Sequence, residues 1–187
     1  MPESWAARPH TLLDTNNINA VMFQYERQYP WFSYLRTLPV DAFAAGASGC
    51  VIGDLCRLDV GALRKSGKRM LGAVMNLDRH NQPGSHWVAF AIDLRKRAIM
   101  YYDSFGRPPP AELRAFFERV REESPSRYTC NSVYNAVVHQ RRNTECGIFA
   151  TIALEALLGG TPFEKYCAGG VTDEHAFAQR ARLFSKM

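Results

Sequence analysis

Two β-rich runs, HWVAFAIDL (86–94) and AIMYYDSF (98–105), are separated only by the charged triplet 95–97. Runs rich in β-branched and aromatic residues, joined by so short a polar turn, predict an antiparallel hairpin. A hairpin lays the start of its first strand beside the end of its second. His86 and Asp103 are therefore expected at the same end of the same two strands. Upstream, MLGAVMNLD (70–78) is short and apolar and is followed by the turn RHNQPGS (79–85), so it reads as a buried strand. Val133 to Val138 is a further strand candidate.

Helical signals flank these strands. Asp14, Thr15 and Asn16 offer N-caps for a helix from about Asn17 to Gln28, with Ile18, Val21, Met22 and Tyr25 at helical spacing. AELRAFFERVREE (111–123) places Leu113, Phe116, Phe117 and Val120 on one face. CGIFATIALEALLG (146–159) is almost wholly apolar, and its length and alanines favour a buried helix over a strand. Gly159 and Gly160 end it. A last helix is expected from Asp173 to about Phe184. Trp31 to Tyr34, between Pro30 and Pro39, reads as a hydrophobic anchor for the first helix. AAGASGC (44–50) reads as a loop, and a strand or short helix is expected around Val51 to Leu58. Helices at both ends of a central run of strands give an α+β domain.

The chain has 187 residues, 47% of them hydrophobic, which is one domain's worth of core material. Residues 1–187 are read as one domain, with 1–11 as a loosely held arm. Repeats and low-complexity segments are absent, and no apolar run reaches the length of a membrane span. MPESWAARPH lacks the basic start and apolar stretch of a secretory signal, so a soluble intracellular protein is expected. Five cysteines, widely spread, do not read as a disulfide framework, and Cys50 and Cys56 have no partners at zinc-site spacing. Four of the five are expected to be small buried hydrophobes. A formal charge of +5 with basic patches at 64–69, 95–97 and 141–142 suggests weak association with an anionic neighbour such as nucleic acid. Solvated turns are the simpler reading of each patch.

Cys146 stands where the polar loop HQRRNTE (139–145) meets a buried helix. Unpaired backbone N–H groups and the helix dipole stabilise a thiolate there, and the same N–H groups can hold an oxyanion. Gly147 permits close backbone approach. A nucleophilic cysteine needs a base, and the base needs an orienting group. His86, opening a strand at a sheet edge, fits the first role, with His139 on the Cys146 loop as its rival. Asp103 fits the second, with Asp93 as the alternative at the far end of the hairpin. Gln140, six residues before Cys146, could donate a side-chain N–H to an oxyanion. Each residue also has an ordinary reading: a core cysteine, a strand-end histidine, a turn-capping aspartate, a loop glutamine.

HWVAFAIDLRKRAIMYYDSFG resembles the His-Trp and Tyr-x-Asp-Ser blocks of the SUMO-protease and adenovirus-protease clan of cysteine peptidases, and HQRRNTECGIFA its Gln-x5-Cys-Gly block. Four roles in matching order and spacing are far more specific than any one residue. LLDTNNINAVMFQYERQYPWF is similar to the opening helix of Ulp1-like peptidases encoded by large nucleocytoplasmic DNA viruses. Tyr134-Asn135, the Asn143-x-Glu145-Cys146-Gly147 run, Phe163-Glu164 and Arg182-x-Phe184 add to that similarity.

The resemblance implies a papain-like fold of the Ulp1/adenain type: a central mixed sheet flanked by helices, with the catalytic cysteine at a buried helix N-terminus. It implies Cys146 as nucleophile, His86 as base, Asp103 as its orienter and Gln140 as oxyanion donor, with Trp87 and Gly147 lining the substrate channel. No metal or organic cofactor is implied. Relatives cut after Gly-Gly or Gly-x, and in large DNA viruses they process structural polyproteins during particle maturation. A monomeric enzyme of the host cytoplasm, viral factory and virion is the corresponding expectation. The alternatives are a deSUMOylating or deubiquitinating isopeptidase, or a basic nucleic-acid-binding virion protein on the same fold. One departure stands out. Clan members often carry Trp-Leu before the first helix, and here the pair is Leu12-Leu13.

Overall fold

The expected hairpin forms: β5 (Trp87–Asp93) pairs antiparallel with β6 (Ala98–Tyr102), with Ala89 opposite Tyr102 and Asp93 opposite Ala98. Its turn is pinned by Asp93, whose Oδ1 accepts from the N–H groups of Arg95 and Lys96 at 2.9 and 2.8 Å. Asp93 is thus committed to the turn, as an Asx-type cap. The computed structural model describes residues 8–46, 49–122 and 131–185. Residues 1–7 of the expected arm, and Cys130, lie outside the described residues.

Strand β4 (Met70–Asn76) pairs antiparallel with β5 on its other side. Parallel strands close the sheet: β1 (Phe32–Pro39) beside β4, and β7 (Asn131–Tyr134) beside β6. The five-stranded sheet runs β1-β4-β5-β6-β7 and is mixed. A separate two-stranded ribbon joins β2 (Ala45–Gly46) and β3 (Gly49–Cys50).

Both sheet faces are buried, which explains why β4 and β5 read as continuous apolar runs rather than alternating ones. On one face Val74, Ala89, Ala91 and Met100 meet α1 (Thr15–Gln28), α4 (Cys146–Leu158), α5 (Phe163–Ala168) and α6 (Asp173–Leu183). On the other, Leu71, Phe90, Ile92 and Ile99 meet Leu113, Phe116 and Phe117 of α3 (Ala111–Glu122). Helix α4 packs chiefly on β5, where the small Ala89 and Ala91 allow close approach. Gly72 does the same in β4: a Cβ there would sit 3.0 Å from the Phe32 ring and 3.3 Å from Leu154.

Some local expectations are corrected. Trp31 to Tyr34 is not merely an anchor; Phe32 opens the edge strand β1, which Arg36, at φ 75°, bulges between Tyr34 and Thr37. The strand expected to reach Val138 ends at Tyr134. There Asn135 turns the chain by donating to the Asp103 and Val137 carbonyls, each at 2.8 Å, and accepting from the Val137 N–H at 3.0 Å. Of the strand or short helix expected at 51–58, the short helix forms, as a 3-10 turn at Leu55–Arg57. Helix α2 (Val60–Lys65) and α5 are six residues each, too short to show a period. The cysteine expectation is also corrected: Cys50 and Cys56 form a disulfide, their Cα atoms 5.4 Å apart. A tight local ribbon, invisible in the spacing, brings them within bridging distance. Helix α1 carries a capping box. Asp14 accepts from the Asn17 N–H at 2.8 Å, and the Asn17 side chain accepts from the Asp14 N–H at 3.1 Å.

Candidate active site

His86 immediately precedes β5 and Asp103 immediately follows β6, so the hairpin register delivers them to one end of the sheet. His86 Nε2 lies 2.7 Å from Asp103 Oδ1, and both side chains are buried. The Asp103 carboxylate accepts, so Nε2 carries the proton and Nδ1 is left for another partner. Asp103 is itself fixed by the Phe105 N–H, at 2.9 Å on the same Oδ1. Phe105 stacks on the imidazole with ring centroids 4.6 Å apart, and the Arg107 guanidinium sits 4.9 Å from the Phe105 ring centroid. Burial disfavours a charged imidazole here. The Asp103 carboxylate and the sulfur of Cys146 outweigh it, pushing the His86 pKa up to about 9.

Cys146 is the first residue of α4 and is 7% exposed. Its preceding residue, Glu145, makes no side-chain cap with the helix, so the first-turn N–H groups are not consumed by a capping carboxylate. Cys146 opens onto a cleft of about 490 Å³, lined also by Leu12, Leu13, Trp87, His80 and Asn143. Trp87 donates its indole N–H to the Leu13 carbonyl at 2.9 Å. Gly147 makes room for that contact: a Cβ there would lie 3.1 Å from Leu13 Cβ and 3.3 Å from Trp87. Leu12, at the position of the expected tryptophan, is 60% exposed on the cleft wall.

Gln140 is buried beside Ser104. Its Oε1 accepts from Ser104 Oγ at 2.7 Å, and one N–H of its amide donates to the Arg142 carbonyl. The Ser104 carbonyl accepts from both the His139 and Gln140 backbone N–H groups at 2.9 Å. The hairpin end and the Cys146 loop are thereby sewn together.

The two rivals from sequence separate cleanly. His139 Nε2 is 2.8 Å from the Cys167 carbonyl, which can only accept, and Nδ1 is 2.8 Å from the Tyr102 hydroxyl. Both ring nitrogens are committed, and burial holds the pKa below the ordinary histidine range. Asp93 lies at the opposite end of β5. His80, on the cleft rim, is tied to Asp41 through its backbone N–H at 3.0 Å and Nδ1 at 2.8 Å. Burial raises the Asp41 pKa, but these two bonds outweigh it and hold the carboxyl below its usual range.

Sequence reading missed several supporting residues. Asn135 holds the Asp103 carbonyl, and Asp173 accepts from the Arg141 N–H at 3.0 Å. Arg180 and Glu145, both nearly inaccessible, form an ion pair at 2.8 Å through the residue that precedes Cys146. Only the Glu145-Cys146 adjacency was visible in the chain; the partner 35 positions later carried no signal. Among the described residues no cluster of His, Cys, Asp or Glu could hold a metal ion. Nor is any described helix long and apolar enough to cross a membrane.

The chain is similar to known proteins over most of its length. It is 29% identical over 163 residues to a thiol protease of Acanthamoeba polyphaga mimivirus, covering 86% of this chain and 52% of that protein. It is 32% identical over 117 residues to a cysteine protease of African swine fever virus, covering 60% of this chain and 43% of the relative. The chain thus spans about half the length of the curated relatives it matches. The crystal structure of the African swine fever virus protease superposes with a TM-score of 0.80 at 23% identity, over 94% of this chain and 68% of that one. The C-terminal Ulp1 protease domain, solved in complex with Smt3, the yeast ortholog of SUMO, gives 0.67 at 21% identity, over 94% of this chain and 76% of that one. These structures share the fold: a mixed sheet flanked by helices. Residues 68–187 match the Ulp1 protease family's C-terminal catalytic domain, and the chain belongs to that family of cysteine peptidases.

Proposed function

We propose that this chain is a cysteine endopeptidase that cleaves after Gly-Gly or Gly-x and processes viral structural polyproteins during particle maturation. One observation carries the reading: a buried His86–Asp103 pair meets a cysteine that starts a buried helix and opens onto a cleft.

The chemistry follows from the roles of these groups. His86 Nδ1 takes the Cys146 proton, and Asp103 steadies the resulting imidazolium. The thiolate attacks the scissile carbonyl carbon. The Cys146 N–H and the second N–H of the Gln140 amide hold the oxyanion. His86 Nδ1–H then protonates the leaving amine as the C–N bond breaks, leaving a thioester on Cys146. Water, deprotonated by His86, attacks that thioester and releases the new carboxyl terminus and the thiol. Trp87, fixed over Leu13, walls the channel on the side where glycine residues would pass. Besides substrate and water, these steps call on protein groups alone. The basic patches would hold the enzyme on packaged nucleic acid, in viral factory and virion.

A second reading, removal of SUMO- or ubiquitin-type modifiers, is favoured by the Smt3 complex of the Ulp1 domain and by a ubiquitin-bound Chlamydia trachomatis effector of the same fold, TM-score 0.60 at 14% identity. One experiment separates the readings. Wild type and Cys146→Ala are incubated with a Gly-Gly-x peptide and with SUMO and ubiquitin probes. Cysteine-dependent peptide cleavage supports the first reading, and labelling by a modifier probe alone supports the second. Folded protein inactive in every assay refutes both.

A further inference from the structure

We propose that Arg180 is a positioning residue, one buried guanidinium that sets both the nucleophile and the wall of the cleft. This rests on the peptidase reading above. Arg180 lies on α6, far from Cys146 in the chain, and is 3% exposed. Its Nε and Nη2 reach Glu145 Oε2 at 3.3 and 2.8 Å, and its Nη1 donates to the Thr11 carbonyl at 2.7 Å. A planar guanidinium holds donors on opposite sides of one rigid fork and so spans both partners at once; an ammonium is a compact point charge without that preset spread.

The two partners are the important point. Glu145 is the N-cap residue on which α4 begins, and its carbonyl accepts the first helical bond from the Phe149 N–H at 2.9 Å. Its carboxylate turns away from the helix toward Arg180, so a charge that could have capped the first turn holds the helix start in place instead. Thr11 begins the segment that forms one wall of the cleft. Two residues on, the Leu13 carbonyl is held by the Trp87 indole. Leu12 is therefore suspended between two fixed carbonyls, exposed on the cleft beside Cys146. Arg180 ties one end of this strap to the residue preceding the nucleophile. His10 closes the cluster from outside, its Nδ1 3.6 Å from Glu145 Oε1 and its ring 4.7 Å from Phe177.

A stabilising ion pair would show the same contacts, so the test separates position from stability. Arg180→Lys keeps the charge but loses the fork. Glu145→Leu combined with Arg180→Met replaces the pair by apolar groups, a change that often preserves or raises stability. Each variant is compared with wild type by thermal midpoint, by kcat and KM on a Gly-Gly-x peptide, and by the rate of Cys146 alkylation with iodoacetamide, read by mass spectrometry. The expected result is folded protein with kcat/KM lowered about 10- to 100-fold. KM should rise as the wall moves, kcat should fall as Cys146 moves, and alkylation should slow several-fold. Either variant, folded and with wild-type kcat, KM and alkylation rate, overturns the proposal. Alkylation reads Cys146 without substrate. Absent cleavage by wild type therefore counts against the peptidase reading, and an unchanged alkylation rate counts against Arg180.

Discussion

Asp103→Asn isolates the charge that His86 depends on. The asparagine side chain can keep the same shape, with its oxygen at the Oδ1 position accepting from His86 and from the Phe105 N–H. Its nitrogen would then occupy the Oδ2 position, which is buried without a hydrogen-bond partner. That orphaned donor costs about 1–3 kcal/mol at every pH. The lost charge is different, because its effect depends on pH. In the folded wild type the His86 pKa is raised from 6.5 to about 9. At about 1.4 kcal/mol per unit this is worth about 3 kcal/mol, if the variant's value returns to 6.5. A raised histidine pKa contributes stability that is fully present below 6.5 and is lost as pH rises through about 9. The stability gap between wild type and variant should therefore be widest near pH 6 and narrow by about 3 kcal/mol toward pH 10. For a domain of this size that is roughly 6–12 °C in Tm. Thermal unfolding of both proteins across that range, with direct imidazole titration by NMR, measures it. A gap that stays constant with pH, or a variant imidazole still titrating near 9, would refute the reasoning.

Four further outcomes are expected. His139→Ala should lose about 1–3 kcal/mol of stability, because the Tyr102 hydroxyl and Cys167 carbonyl lose their partner, yet it should retain turnover. His86→Ala should have no measurable turnover, and the reverse pattern in a peptide assay would move the base to the loop. Gly147→Ala should raise KM several-fold, as its Cβ presses on Leu13 and Trp87, with a stability loss of about 1–3 kcal/mol in denaturant titration. Reducing the Cys50–Cys56 bridge should lower unfolding stability by about 2 kcal/mol, measured with and without reductant.

Much of the site could be read along the chain because its parts are local. His86 and Asp103 belong to one hairpin, and a hairpin's geometry follows from its turn. Gln140 and Cys146 belong to one loop running into one helix, and that helix announced itself by length and alanine content. The bulged edge strand β1 was hidden by Arg36 and by Pro39, which breaks strand patterns everywhere except at an edge. The early end of β7 was hidden because Asn135 spends its side chain on the distant Asp103 carbonyl as well as on the nearby Val137 backbone.

Local order along the chain favours His86 as base but leaves His139 standing as a rival. The choice between them lay in what each ring touches, Asp103 and Cys146 for one, Tyr102 and the Cys167 carbonyl for the other. Likewise, no spacing rule joins Arg180 to Thr11 and Glu145, or Trp87 to Leu13. Such contacts pair side chains with backbone groups that packing alone brings together, and a linear pattern records period and turn but not which distant carbonyl lies within reach. Cys146, the helix it starts and the His86–Asp103 hairpin were written in the order of the residues. The walls around them were settled when α4 and α6 packed against the sheet.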